Sequence, residues 1–154
     1  MKRRITVMLL ASLTLLLPQC HSSKKMAEST NTPLRLVQWN LLSIEGEALD
    51  STEYAVKPYI VFNDNGTFTG SFGCNTFFGD YFQKKQKLEL TYKGATKKLC
   101  QQMRVERAMM KAIKKELNRY EISDNLLILY SGKEEIMRFE DSGIRLKPTE
   151  ETAE

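Results

Sequence analysis

Few side chains in this sequence are of types that do chemistry. Three cysteines, Cys20, Cys74 and Cys100, and a single histidine, His21, stand among 154 residues. Thiolates and imidazole together could hold zinc, but such sites need four converging ligands, commonly in closely spaced pairs. No cysteine has a CxxC partner and His21 abuts Cys20, so no metal is expected. Glu106 is a candidate acid, yet general acid–base work needs a histidine or a second positioned carboxylate beside it, and none is evident. No Gly-rich phosphate loop and no Ser/His/Asp arrangement is present. Asn65, Gly66 and Thr67 fit a glycosylation sequon but read more simply as a turn. These absences point away from an enzyme and from any cofactor.

The cysteines must be sorted by compartment. "MKRR" followed by the 13-residue apolar run "ITVMLLASLTLLL" and Pro18 has the organisation of a secretory signal over residues 1–19. Its apolar run is too short to span a bilayer comfortably. The formal charge of +4 belongs largely to that leader: without Lys2, Arg3 and Arg4, twenty basic groups face nineteen acidic ones, about +1. A nucleic-acid partner is therefore not expected. The junction "LLPQC" resembles the lipobox of bacterial lipoproteins, with Leu17 at the preferred apolar position; Pro18 and Gln19 depart from the usual residues. The resemblance implies that Cys20 becomes the first mature residue and carries acyl chains. The alternative is cleavage further along, for instance after Ser22, giving a soluble periplasmic protein. His21, rather than Asp, after the cysteine favours an outer-membrane lipoprotein facing the periplasm. With Cys20 acylated, Cys74 and Cys100 remain in an oxidising compartment, and a disulfide between them is expected over two free buried thiols.

Behind the anchor, residues 20–33 are small and polar and end in proline, reading as a flexible tether of about 20 Å mean reach. The folded domain is expected over residues 34–147, with 148–154 as a disordered tail. Within the domain, "RLVQWNLLSI" puts Val37, Trp39 and Leu41 on one face at period two. Two strand-like runs flank Asp64, Asn65 and Gly66, a hairpin signal. "KLELTY" alternates. From 101 to 119 the period turns helical: Val105, Met109, Ala112, Ile113, Leu117 and Tyr120 share one arc, and Arg104, Arg107, Lys111, Lys114 and Lys115 the opposite one. Strands resume with "NLLILY", "EEIMRF" and a last short "GIRLK". The order predicts an α+β, mainly β fold, an antiparallel sheet curled around or onto one packed α-helix.

Several blocks recur in an order that resembles the META domain, the family of HslJ-like heat-shock lipoproteins. They are Trp39–Leu41, "FNDNGTFTGSFGCNTFFGDY", "T-x-x-x-C" at Thr96–Cys100, Glu106 in the helix, and "Y-x-I-x-x-x-x-L-x-L" from Tyr120. The densest match is Gly73, Cys74 and Asn75 with Phe78 and Gly79. The similarity covers about residues 35–140. It implies a lipocalin-like, partly open curled β structure with one inserted helix, no established enzymatic activity and no cofactor.

The residues admit a physical reading of these motifs. Gly73 and Gly79 bracket a segment that cannot continue as a plain ladder, so Cys74 would clamp a sheet corner to the helix entry at Cys100. A small-ligand mouth lined by Asn75, Phe77 and Phe78 is the alternative. Glu106 either accepts backbone N–H bonds from the corner or snorkels at the edge of the apolar arc. The basic helix face reads as solvated surface, or as a patch drawn to anionic headgroups. Phe62, Phe68, Phe72, Leu88, Leu90, Ile128 and Met137 suffice to fill the interior. The expectation is a non-enzymatic, lipid-anchored, monomeric envelope protein, for which the resemblance implies a role in envelope stress tolerance by analogy. The competing expectation is a binding module for an apolar small molecule or peptide, or an inhibitor of a protein partner. Neither ligand nor partner is named by the sequence.

Overall fold

The computed structural model describes residues 32–149. The leader, Cys20, residues 20–31 of the tether and residues 150–154 of the tail lie outside that range.

Among the described residues, nine strands form one antiparallel sheet. They are β1 (Val37–Ile44), β2 (Glu47–Ala48), β3 (Tyr59–Phe62), β4 (Thr67–Ser71), β5 (Thr76–Lys84), β6 (Lys87–Ala95), β7 (Arg119–Ser123), β8 (Leu126–Ser131) and β9 (Glu134–Arg145); a single helix, α1 (Arg104–Ile113), separates β6 from β7. The spatial order is β6-β5-β4-β3-β1-β9-β8-β7, with β2 paired to the end of β1. Two meanders thus flank the central pair β1–β9. The sheet curls until its outer strands touch: the Tyr120 N–H donates to the Gln86 carbonyl at 2.9 Å and the Leu88 N–H to the Asn118 carbonyl at 3.3 Å. The result is a half-barrel, and α1 adds Val105, Met109, Ala112 and Ile113 to its core.

Alternation explains most of the inward face. Val37, Trp39 and Leu41 are fully buried, and the Trp39 indole donates to the Leu34 carbonyl at 3.0 Å, which satisfies its one polar group. The β3–β4 turn is closed by the Asn65 side chain, which accepts from the Thr67 N–H at 3.2 Å and hydroxyl at 2.7 Å. Inside the curl, Phe72 stacks on Phe77 with ring centroids 4.1 Å apart, and Phe62 meets Tyr81 edge-on at 5.1 Å. Gly79 makes room for this: a Cβ there would lie 2.2 Å from the Thr91 carbonyl oxygen and 2.5 Å from Phe68 Cζ.

Three expectations differ from the structure. The helix covers 104–113, not 101–119. Leu117 is buried and Tyr120 half-buried as the arc required, but Arg119 and Tyr120 pair with Tyr130 and Leu129 in the sheet. Ladder hydrogen bonds claim this backbone, and a helical period persisted there without a helix. "EEIMRF" and "GIRLK" are one continuous strand, β9, accommodated against β1 by two register shifts. Ile128 does not join the core cluster; Leu127 and Leu129 fill it instead, because neighbouring strand residues face opposite sides. The domain ends also extend beyond expectation. Thr32 is buried, with its hydroxyl 3.0 Å from Asn125 Oδ1, and Thr149 bonds the Asp64 carboxylate through its N–H at 3.1 Å and its hydroxyl at 2.9 Å.

Candidate functional site

The polar residues singled out by the sequence converge at one end of the half-barrel, where β4 turns into β5. Gly73 has φ +107°, and a Cβ there would lie 3.0 Å from Tyr54 Cβ, so glycine is required on both counts. The Ser71 hydroxyl accepts the Gly73 N–H at 3.1 Å. Cys74 and Cys100 are joined in a disulfide with Cα atoms 6.4 Å apart, tying the corner to the segment that leads into α1.

Asn75 is the centre of the arrangement and is 2% exposed. Its carbonyl oxygen accepts from the Thr96 hydroxyl at 2.8 Å and the Lys98 N–H at 2.7 Å. Its amide nitrogen donates to Glu106 Oε1 at 2.8 Å and to the Lys98 carbonyl at 3.0 Å. A carboxamide has two donor hydrogens and two acceptor lone pairs, so all four are used. The Asn75 backbone N–H goes to Glu106 Oε2 at 3.0 Å. Of the two readings of Glu106, the inward one therefore holds: both oxygens face the corner. No cation pairs with this buried carboxylate among the described residues. Two charge-assisted N–H bonds and the first-turn position in α1, where the helix dipole is positive, offset the cost of burying it.

Chemically this is a closed network. A ligand or substrate would find no vacant donor or acceptor on Asn75, and no buried side-chain polar atom is left unpaired among the described residues. The three residues expected to line a mouth do not meet. Phe77 points inward, 2% exposed and stacked on Phe72, whereas Phe78 points outward, 52% exposed, over Gly94. Consecutive strand residues cannot line one cavity. Lys98 was not foreseen, since it acts through its backbone, which leaves no mark on residue type. The basic helix face is partly engaged: Arg104 bonds Glu53 at 2.6 Å, Lys115 bonds Glu45 at 2.6 Å, and the Lys114 ammonium lies 4.8 Å from the Tyr92 ring centre.

Two clefts open elsewhere. One, about 210 Å³, lies between β2 and α1, with Ile44, Leu49 and Val105 below Glu47, Glu53 and Arg104. The other, about 570 Å³, lies at the opposite end of the half-barrel from the corner, among Leu34, Gln86, Tyr120, Glu121 and Ile122. Near it the Arg145 guanidinium bonds Asp141 at 2.6 and 2.7 Å and, with the Gly143 N–H and Thr32 hydroxyl assisting, holds that carboxyl below the ordinary aspartate range against its burial.

Comparison with known proteins adds the following. The family model described as META domain matches residues 32–143. An NMR structure of a protein from Burkholderia xenovorans is 19% identical, with a TM-score of 0.54, over 71% of this chain and 83% of that one. A second NMR structure is 22% identical, TM-score 0.51, over 69% and 89%. A crystal structure of a DUF4847 family protein from Bacteroides vulgatus is 17% identical, TM-score 0.49, over 70% and 93%. At these identities the likeness to the two NMR structures is one of fold. No curated protein matches the sequence.

Proposed function

The chain belongs to the META-domain family, and from that premise we propose that it is a non-enzymatic envelope protein held to a bilayer through acylated Cys20. The observation that carries the non-enzymatic part is the saturation of Asn75. The residues that most resemble a site, Asn75, Thr96 and Glu106, spend their polar capacity on one another and on Lys98. A structural keystone has this property, whereas a catalytic centre keeps groups free for its substrate. The anchored part is supported by the leader and by the cysteine at its boundary. A place in envelope stress tolerance rests on resemblance alone. Intact-mass analysis of natively produced protein tests the anchor. Loss of residues 1–19 together with fatty-acyl mass is expected; a retained leader or an unmodified Cys20 overturns it.

A second reading is favoured by the 570 Å³ cleft. Its apolar Leu34 and Ile122 with the Tyr120 ring would suit an apolar small molecule or an extended peptide. An envelope-derived molecule retained in native mass spectrometry, and lost in Ile122→Glu, would support this reading. Identical spectra from the two proteins would exclude it.

A further inference from the structure

We infer that the end of the half-barrel carrying the β5–β6 hairpin is a docking face for an anionic lipid bilayer, setting the domain's orientation on the membrane. The inference rests on the anchored reading above. It goes beyond attachment, because a covalent anchor at one residue does not by itself set the domain's orientation.

The placement of the chain entry carries the argument. Residue 32 begins the described chain and lines the same cleft as Gln86 at the hairpin tip. Arg35, three residues on, donates to the Gln83 carboxamide at 3.2 Å. Thr32 and the hairpin therefore lie side by side. Only eleven residues separate Cys20 from Thr32, so the anchor can lie no further than about 40 Å from it. A domain held that closely presents this end to the membrane more readily than the stapled corner at the far end.

The chemistry of the end suits the same partner. The last β5 residue paired with β4 is Asp80, opposite Thr67, and the Tyr81 N–H still bonds the Gly66 carbonyl at 2.8 Å, so the three residues from Phe82 to Lys84 overhang by roughly 10 Å. That overhang carries Phe82, 53% exposed, with the Lys87 ammonium 6.0 Å from its ring centre. Lys84 and Lys85 are exposed at the tip and have no ion-pair partner among the described residues. Alongside, the Leu146 N–H bonds the Leu36 carbonyl at 2.8 Å, bringing in a segment with exposed Ile144 and Leu146. Arg35, Lys84, Lys85 and Lys147 outnumber Asp64 and Asp124, the carboxylates on the neighbouring turns that have no ion-pair partner among the described residues. Lys87 is paired with Glu89 at 2.6 Å, but Lys84, on the same strand face as Phe82, and Lys85 are not, and an aromatic ring beside two such lysines matches an interface of acyl chains beneath phosphate headgroups.

The test uses full chains bearing one added tryptophan, mixed with vesicles containing bromine-labelled lipid. Trp39 is fully buried and supplies a constant background. Phe82→Trp reports on the proposed face. Leu99→Trp reports on the far end, where Leu99 is 99% exposed beside Lys97 and Lys98, an equally basic and apolar control. Phosphatidylglycerol vesicles are expected to quench Phe82→Trp strongly and Leu99→Trp little. Phosphatidylcholine vesicles should quench both weakly. Adding Lys84→Gln and Lys85→Gln should weaken vesicle binding of unacylated chain ~30-fold and bring quenching of the acylated chain down toward the phosphatidylcholine level. Equal quenching of the two probes, or none at residue 82, overturns the inference. Flotation with vesicles separates the two ideas. A chain that floats but leaves residue 82 unquenched keeps the anchor and loses the docking face. A chain without acyl groups, quenched at residue 82 when vesicles are added, loses the anchor and keeps the face. A protein partner at this end would show as lipid-independent protection of the Phe82→Trp probe from soluble quencher in envelope extract, and would also overturn it.

Discussion

The two ends of the half-barrel hold their polar groups in opposite ways. At the stapled corner a buried carboxylate, a carboxamide and a disulfide lock β5 to the entry of α1, and every hydrogen-bonding position of Asn75 is filled from within the protein. At the opposite end, beside the β5–β6 hairpin, Thr32, Asp141 and Arg145 form a looser, partly exposed set around an open cleft. A saturated, dry network is costly to disturb because each lost partner strands a desolvated group. A solvated one is cheap to disturb and free to meet something else. The saturated network is thereby gathered at one end of the sheet and the open cleft at the other.

That contrast can be broken by experiment, beginning with the largest effect. Opening the Cys74–Cys100 bond, whose half-cystines are 26 residues apart, should cost about 3–4 kcal/mol on the chain-entropy account. Urea denaturation with and without reductant reads it directly. Glu106→Gln turns one acceptor into an N–H facing the donors of Asn75, and about 2–3 kcal/mol should be lost. A midpoint within error of the parent's would mean that the carboxylate is not a keystone. Asn75→Ala combined with Glu106→Gln should cost clearly less than the sum of the two single changes, because each removes partners of the other; strict additivity would dissolve the network into independent bonds.

At the far end the same chemistry should yield smaller numbers. Thr32→Val keeps shape and removes one hydroxyl, for an expected loss of about 1 kcal/mol. An equal or larger cost than that of Glu106→Gln would erase the difference between the ends. The smallest effect concerns acid. Asp141 titrates lower in the folded chain than in the unfolded one, chiefly through Arg145, so its contribution is present above the ordinary aspartate range and lost as pH falls through the folded value. Asp141→Asn should flatten the acid limb of a stability–pH curve; an unchanged limb would assign acid sensitivity elsewhere.

How much of this was legible beforehand differs by element. The hairpin at Asn65 and Gly66, the inward face of β1 and the apolar stripe of α1 follow from local periodicity and turn chemistry. The end of the helix did not. Leu117 and Tyr120 continue a helical spacing, and only the pairing of β7 with β8 withdraws that backbone from it. Glu106 was legible as a residue near the apolar arc, but two orientations fitted equally. Its choice depended on where Asn75 lay, thirty-one residues away in sequence. Phe77 and Phe78 show the reverse failure: both are aromatic, and only their register against Gly70 and Thr69 sends one inward and the other out.

What the sequence settled by itself was therefore the inventory: which stretches alternate, which coil, and that the chain is a META domain. The tertiary structure alone decided that Asn75, Thr96, Lys98 and Glu106 meet, and that the chain entry and the β5–β6 hairpin share one end. The physical reason is that periodicity and propensity act over a few residues, whereas these contacts join segments twenty to fifty residues apart, and sheet register fixes which of them can touch.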